Sequence, residues 1–263
     1  MNNRYIGAVI LLPILALFFL GGWWLKFIVV TLSFRALYEY YFVVSKKGHK
    51  PLGLVGYLTL ALYYASVFIL EDPLSHLGVL LALALAFGFL CMIFQEETTL
   101  VDVGITLMGI LHAGVLFSLI LLLSQKDGGQ VYVYLVFISS WVCDTLAYYT
   151  GRMFGKHKLI ERVSPKKTVE GAVGGLFGGA LGAVLLGYLW PATLSVALIH
   201  FLIMGFLGAF FGQLGDLAAS SIKRYAGEKD YPKLIPGHGG VLDRFDSILF
   251  VALVVYVYTS YLL

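Results

Sequence analysis

Residues 74–94, LSHLGVLLALALAFGFLCMIF, carry no Asp, Glu, Lys or Arg. As a helix rising about 1.5 Å per residue, the stretch crosses the roughly 30 Å hydrocarbon core of a bilayer. Comparable runs recur at about 5–24, 27–44, 52–70, 100–123, 131–150, 171–190, 193–215 and 246–262, making nine in all. Composition agrees: 60% of the 263 residues are hydrophobic and only 13% are charged, where soluble domains carry about a quarter charged residues. Mean hydropathy is +0.89. The pattern predicts an all-α protein, a polytopic transmembrane helical bundle of about nine spans. A membrane β-barrel needs short alternating segments, which the chain lacks. The first run, with Pro13 inside it, has no small-x-small pattern after its apolar core and reads as an uncleaved anchor rather than a signal peptide. Short connections near Gly21–Lys26 and Pro191–Thr193 predict antiparallel hairpins.

Charge then orients the chain. Arg4, Lys46, Lys47, Lys50, a group from Arg152 to Lys167 and a group from Lys223 to Arg244 all fall on one side of the predicted membrane. Together they are fifteen of the eighteen basic residues. Lys26 and Lys126 fall in opposite-side loops, and Arg35 lies inside a span. Positive residues stay on the cytoplasmic side, which predicts a cytoplasmic N-terminus and an outside C-terminus in the cytoplasmic membrane. The same asymmetry favours anionic headgroups. Cys91 and Cys143 lie in separate spans and offer neither a disulfide framework nor zinc-ligand spacing. Residues 1–123 read as N-terminal transmembrane helices. Residues 124–263 read as the catalytic transmembrane region, with two long cytoplasmic loops at 151–170 and 217–245.

Those loops concentrate the chemistry. Ser220–Asp246, SSIKRYAGEKDYPKLIPGHGGVLDRFD, sets carboxylates and cations around a Pro-Gly-His-Gly-Gly turn, between two apolar runs. Asp243 and Asp246 are three apart and share a helix face, with Arg244 projecting elsewhere. Asp216 ends the eighth span. Three such carboxylates suit a hard divalent cation, which takes one or two of them plus substrate phosphates. Lys223 and Arg224 are placed to clamp phosphates. Gly237, Gly239 and Gly240 permit close backbone approach, while His238 reads equally as a phosphate contact and as a turn residue. Asp144 lies within a span, where a carboxylate is costly and by default functional; a purely structural pairing with a neighbouring basic residue is the alternative. Ser164-Pro165 predicts a helix N-cap with Pro at the first helical position. Lys166 and Lys167 would then stand in the first turn, where an anion or simple topology accounts for them. Two interleaved glycine rows, Gly171-Gly175-Gly179 and Gly174-Gly178-Gly182, predict close helix packing; the Walker spacing is absent. Arg35 and Glu39, four apart, predict an internal ion pair. The polar block as a whole points to phosphoryl-transfer chemistry at a membrane surface.

The run S-x-K-R-x4-K-D-x5-P-G-H-G-G-x-x-D-R-x-D, from Ser221 to Asp246, closely resembles the signature of the CTP:phosphatidate cytidylyltransferase (CDP-diacylglycerol synthase) family. Asp144-Thr145-x-Ala147-Tyr148 and Ser164-Pro165-Lys166-Lys167-Thr168-x-Glu170-Gly171 resemble that family's other recurring segments. The resemblance covers roughly the C-terminal half. One position departs: Pro232 stands where the family usually has a small residue. The resemblance implies CTP and phosphatidic acid as substrates, CDP-diacylglycerol and pyrophosphate as products, and Mg²⁺ as cofactor, with the active site at the cytoplasmic side. It implies Asp216, Asp243 and Asp246 as metal ligands and, with Lys223 and Arg224, as the catalytic set. Lys166, Lys167, Ser221, Lys229, His238, Gly239, Gly240, Arg244 and Asp144 follow as substrate-binding residues. The expected partners are the two substrates and the lipid bilayer, with a homodimer as the candidate assembly and no nucleic acid. Competing readings are a CTP-dependent lipid kinase, a cytidylyltransferase for another lipid phosphate and, in another class, a transporter. The last lacks a convincing inverted repeat.

Overall fold

The computed structural model describes residues 13–70, 72–190, 196–234 and 239–263. Nearly all of it is helix. Residues 13–20 are helical, followed by α1 (Gly22–Ser45), α2 (Gly53–Ile69), α3 (Pro73–Phe94) and α4 (Leu100–Ser124). Then come α5 (Gly129–Phe154), a hairpin of β1 (Lys158–Ile160) and β2 (Ser164–Thr168), α6 (Val169–Leu189), α7 (Leu198–Tyr225) and α8 (Leu242–Tyr261). Among the described residues six helices, α1 and α3 to α7, are long and apolar enough to cross a membrane. The 17-residue α2 is a shorter apolar helix. The most apolar, α3, has a mean hydropathy of 2.7 yet is only 11% buried within the protein. A helix apolar on every side and left uncovered by protein needs an apolar surrounding, which a bilayer supplies.

Several sequence expectations are corrected. The sixth and eighth runs continue as helix to Phe154 and Tyr225, so the predicted loops 151–170 and 217–245 begin later than expected. Asp216, Ser221, Lys223 and Arg224 therefore stand on α7. Lys223 and Arg224 occupy its last turn, where cations complement the helix dipole. The first loop is not wholly irregular: β1 and β2 pair antiparallel, Lys158 opposite Thr168 and Ile160 opposite Ser164, so the fold is nearly rather than strictly all-α. Ser164-Pro165 begins a strand instead of a helix. The N-cap is Thr168, in extended conformation, whose hydroxyl accepts from Gly171 N. Lys166 and Lys167 thus precede the helix. Residues 5–12 of the first predicted span, Pro191–Thr193, Gly237 and His238 lie outside the described residues.

The chain forms two compact units. One comprises Lys26–Ser118 with Ile222–Asp243. In it Asp72 and Pro73 start α3, and Thr99 and Asp102 form a reciprocal capping box on α4, satisfying orphan helix N–H groups. Asp102 also accepts from Lys50 N at 2.7 Å, and Lys50 pairs with Glu97, so these acidic residues organise the loop ahead of α2. One wide turn, Ile110–Val115, interrupts α4. The Ser33 hydroxyl donates to the carbonyls of Ala113 and Gly114 there, at 3.2 and 3.3 Å, which keeps buried polar groups partnered.

The other unit comprises Ile14–Leu25, Leu119–Ser221 and Arg244–Leu263. Its glycine rows are consumed in helix packing. A Cβ on Gly178 would lie 2.8 Å from Val142 O of α5, and one on Gly179 would lie 2.5 Å from the Ala209 methyl of α7. A third row, Gly208-Gly212-Gly215 on α7, admits α8 in the same way, with Val251 and the Asp246 carbonyl in the vacated space. Small residues bring these backbones together where no hydrophobic effect drives helix association.

Candidate active site

In the second unit, α5, the β1–β2 hairpin, α6 and α7 line an open cavity of about 390 Å³, within the range of small-ligand sites. Asp144, Tyr148 and Arg152 line it from α5, Lys166 and Lys167 from β2, and Gln213 and Asp216 from α7. Residues 144, 148 and 152 follow one another at one-turn intervals, so a single helix face carries acid, phenol and guanidinium. Lys167 Nζ lies 2.5 Å from Asp216 Oδ2, both side chains about 30% exposed. Ser220 donates to Asp216 Oδ1 at 3.2 Å. Asp144 lies within electrostatic reach of Asp216, Lys167 and Ser247. Ser247 is held in turn by Ser140 at 3.0 Å. Asp246 precedes it, and its carbonyl rests against Gly215, next to Asp216.

The hairpin that presents Lys166 and Lys167 is closed by Glu170. Its carboxylate accepts from Lys156 N, His157 N and His157 Nδ1, the last at 2.7 Å. Lys158 Nζ donates to Pro165 O at 2.6 Å. Glu170 therefore shapes the loop. Gln213 donates to Ala172 O at 3.1 Å and ties α7 to α6 at the cavity wall.

In the first unit a separate network gathers Lys223, Asp243, Gly239 and Gly240. Asp243 accepts from Lys223 Nζ at 2.6 Å, Tyr231 N at 2.8 Å and Gly240 N at 3.0 Å. Lys223 is only 7% exposed and its ammonium also lies 5.2 Å from the Tyr231 ring centre. Gly239 has φ +75, and a Cβ there would meet Asp243 Oδ2 at 2.7 Å, so glycine at this position leaves room for the carboxylate of its own motif. Arg224 and Lys229 are exposed, and Arg224 donates to Glu228 O at 2.9 Å. The Ser221 hydroxyl is directed to Leu217 O at 2.8 Å along α7. Arg244, on α8, is exposed.

The expected residues thus fall into two groups: Asp144, Lys166, Lys167 and Asp216 around the cavity, and Lys223, Gly239, Gly240 and Asp243 in the loop network. Within neither unit do three His, Cys, Asp or Glu side chains of the described residues gather tightly enough to form a ready-made metal cage. The donor set nevertheless suits Mg²⁺, which takes one or two carboxylates and completes its shell with water and phosphate oxygens. Asp144 and Asp216 face one cavity together with three cationic side chains. Sequence reasoning missed Tyr148, Arg152 and Gln213 as cavity residues; the four-residue spacing from Asp144 was the signal for the first two.

Comparison with known proteins adds an independent observation. The family model described as the cytidylyltransferase family matches residues 2–262. A phosphatidate cytidylyltransferase of Staphylococcus saprophyticus is 35% identical over 94% of this chain and 92% of its own length. One from Bacillus subtilis is 33% identical over 76% of this chain and 75% of its own. One from Staphylococcus aureus is 38% identical over 60% and 59%.

Proposed function

The chain belongs to the cytidylyltransferase family, and on that premise we propose that it transfers the cytidylyl group of CTP to phosphatidate. The products are CDP-diacylglycerol and pyrophosphate. The observation that carries the reading is the cavity in which Asp144 and Asp216 stand opposite Arg152, Lys166 and Lys167. A metal–triphosphate complex carries the complementary alternation of charge.

A phosphate oxygen of phosphatidate attacks the α-phosphorus of CTP in line. One P–O bond forms, the α–β phosphoanhydride bond breaks, and pyrophosphate leaves with the electron pair. The phosphomonoester dianion is already nucleophilic, so no strong general base is required. Catalysis then rests on positioning two anions and on neutralising charge where it develops. Lys166, Lys167 and Arg152 supply that neutralisation from the cavity wall. Lys223, Arg224, Lys229 and Arg244 are the further cations proposed for pyrophosphate or lipid phosphate. Asp216, Asp243 and Asp246 are the carboxylates proposed for Mg²⁺, with Asp144 beside Asp216. The bound ion would offset phosphate charge and orient the triphosphate. Asp216 and Asp243 are each paired with a lysine, so each already suits a cation. Charge asymmetry supports nine spans with the N-terminus and the site on the cytoplasmic side, where CTP is available. It equally supports residues 124–263 as the catalytic region.

The test is product identity. With purified protein, Mg²⁺ and phosphatidate, label in the α-phosphate of CTP is expected in the lipid and label in the γ-phosphate in pyrophosphate. Transfer of the γ-phosphate to lipid would instead make the protein a kinase. Asp216→Asn is expected to reduce CDP-lipid formation on the order of a hundredfold with little change in thermal midpoint. Near-wild-type turnover with an unshifted Mg²⁺ dependence would remove Asp216 from the site.

A further inference from the structure

The backbone that follows Gly239 and Gly240 is held by a carboxylate from far outside it. Glu39, on α1, is fully buried. Its Oε1 accepts from Val241 N and its Oε2 from Leu242 N, both at 2.9 Å. These amides open α8, where N–H groups have no helical partner and the dipole favours negative charge. Arg35, one turn earlier, donates from Nε to Glu39 Oε1 at 3.0 Å and from Nη2 to Pro232 O at 3.4 Å. Arg35 and Glu39 thus bond Pro232 on one side and Val241 and Leu242 on the other.

Gly240 fits the same arrangement. A Cβ there would lie 2.4 Å from Glu39 Oε2 and 2.7 Å from the Tyr231 Cβ. No residue other than glycine admits the carboxylate at that depth. The Gly240 N–H meanwhile donates to Asp243, so Glu39 and Asp243 seat neighbouring amides of one short segment. An unpartnered buried carboxylate is strongly disfavoured, and the Glu39 carboxylate is satisfied by the Val241 and Leu242 amides and by Arg35.

We propose that Glu39, braced by Arg35, is a positioning residue for the reaction: it sets the backbone of 240–242 and, through the Gly240 amide that donates to Asp243, the orientation of Asp243 and Lys223. It touches neither substrate. This gives the N-terminal half a defined part in the chemistry, and it rests on the cytidylyl-transfer reading above.

Glu39→Gln keeps the side-chain shape but removes the charge and leaves one amide facing an NH₂ group. Wild-type protein is assayed first, because absence of CTP-dependent pyrophosphate release there would defeat the transfer reading and not this proposal. With activity established, Glu39→Gln is expected to lower kcat/KM for CTP about tenfold, the cost of one charge-assisted bond. Amide exchange should rise at Tyr231, Gly240, Val241 and Leu242 and stay unchanged on α5 and α6. Glu39→Asp, one methylene shorter, should retain charge yet reproduce a smaller part of both effects. Wild-type kinetics in Glu39→Gln with faster loop exchange would show that the loop's setting is irrelevant to turnover and overturn the proposal. Unchanged loop exchange would overturn it too. If Glu39→Gln is not recovered folded, Arg35→Lys carries the test, since it keeps the charge and loses the Pro232 contact. It should show the same pattern about threefold weaker, and wild-type kinetics in Arg35→Lys would then count against the proposal.

Discussion

Lys223 and Asp243 form a pair whose side chains are 9% and 6% exposed. Sequence alone assigns both to substrate or metal, since a lysine and an aspartate in a conspicuous polar block read as chemistry. The fold gives them a structural share as well, because Asp243 also secures Tyr231 N and Gly240 N. Lys223→Ala is therefore expected to lose stability as well as activity. Removing one partner of a buried pair costs on the order of 3–5 kcal/mol, as the other charge is left uncompensated. Lys223→Met combined with Asp243→Asn should recover much of the thermal midpoint, because the asparagine oxygen still accepts from the loop amides, but it should recover no turnover. Thermal unfolding in detergent alongside CDP-lipid formation separates the two roles. If Lys223→Ala melts like wild type, the pair contributes nothing to the fold. Arg35 and Glu39 show the reverse case. Their four-residue spacing predicted an ion pair, which forms at 3.0 Å, but nothing local indicates the amides of Val241 and Leu242.

Helix α6 was readable in advance as a packing element, because small residues at every fourth position have one evident use in a membrane. Which neighbours it takes was not readable. Gly174, Gly178 and Gly182 face α5, while Gly179 faces Ala209 and Gly205 of α7. Gly179→Ala places a methyl 2.5 Å from the Ala209 methyl and 3.0 Å from Gly205 O. Such overpacking against backbone typically costs about 1–3 kcal/mol. Gly104→Ala, on α4 with nothing within 4 Å of the added methyl, is expected to be neutral or slightly stabilising, since alanine is the better helix former. Comparing the two melting midpoints checks the packing directly; equal midpoints would contradict it. The ends of α5 and α7 were misjudged for one reason. Clusters of charged residues predict loop, although a helix leaving a membrane continues into water as long as its own hydrogen bonds are made. The β1–β2 hairpin is not legible locally, because Ser164-Pro165 matches a helix start, whereas Glu170 ties the open end of the hairpin through Lys156 and His157.

At the scale of the whole molecule, charge predicts the orientation. With Cys91 and Cys143 replaced by alanine, Glu161→Cys and Asp230→Cys are expected to resist an impermeant thiol reagent in intact cells, whereas Gln125→Cys reacts. All three positions are exposed in the protein, so accessibility across the membrane is the only variable. The opposite labelling pattern would put the site on the wrong side for CTP. Composition and apolar run length determined the class, the helices and the approximate position of each, because the bilayer demands long apolar helices whatever they pack against. Spacing within single helices determined which polar residues share a face, and motif resemblance named the chemistry. Tertiary structure alone decided how those polar residues divide. Asp144, Asp216 and Lys167 line one cavity, whereas Glu39, Asp102 and Glu170 secure backbone amides. The contact of Glu39 with Val241 spans 202 residues of chain. No local pattern encodes a partner at that distance, because it exists only once the intervening helices have packed.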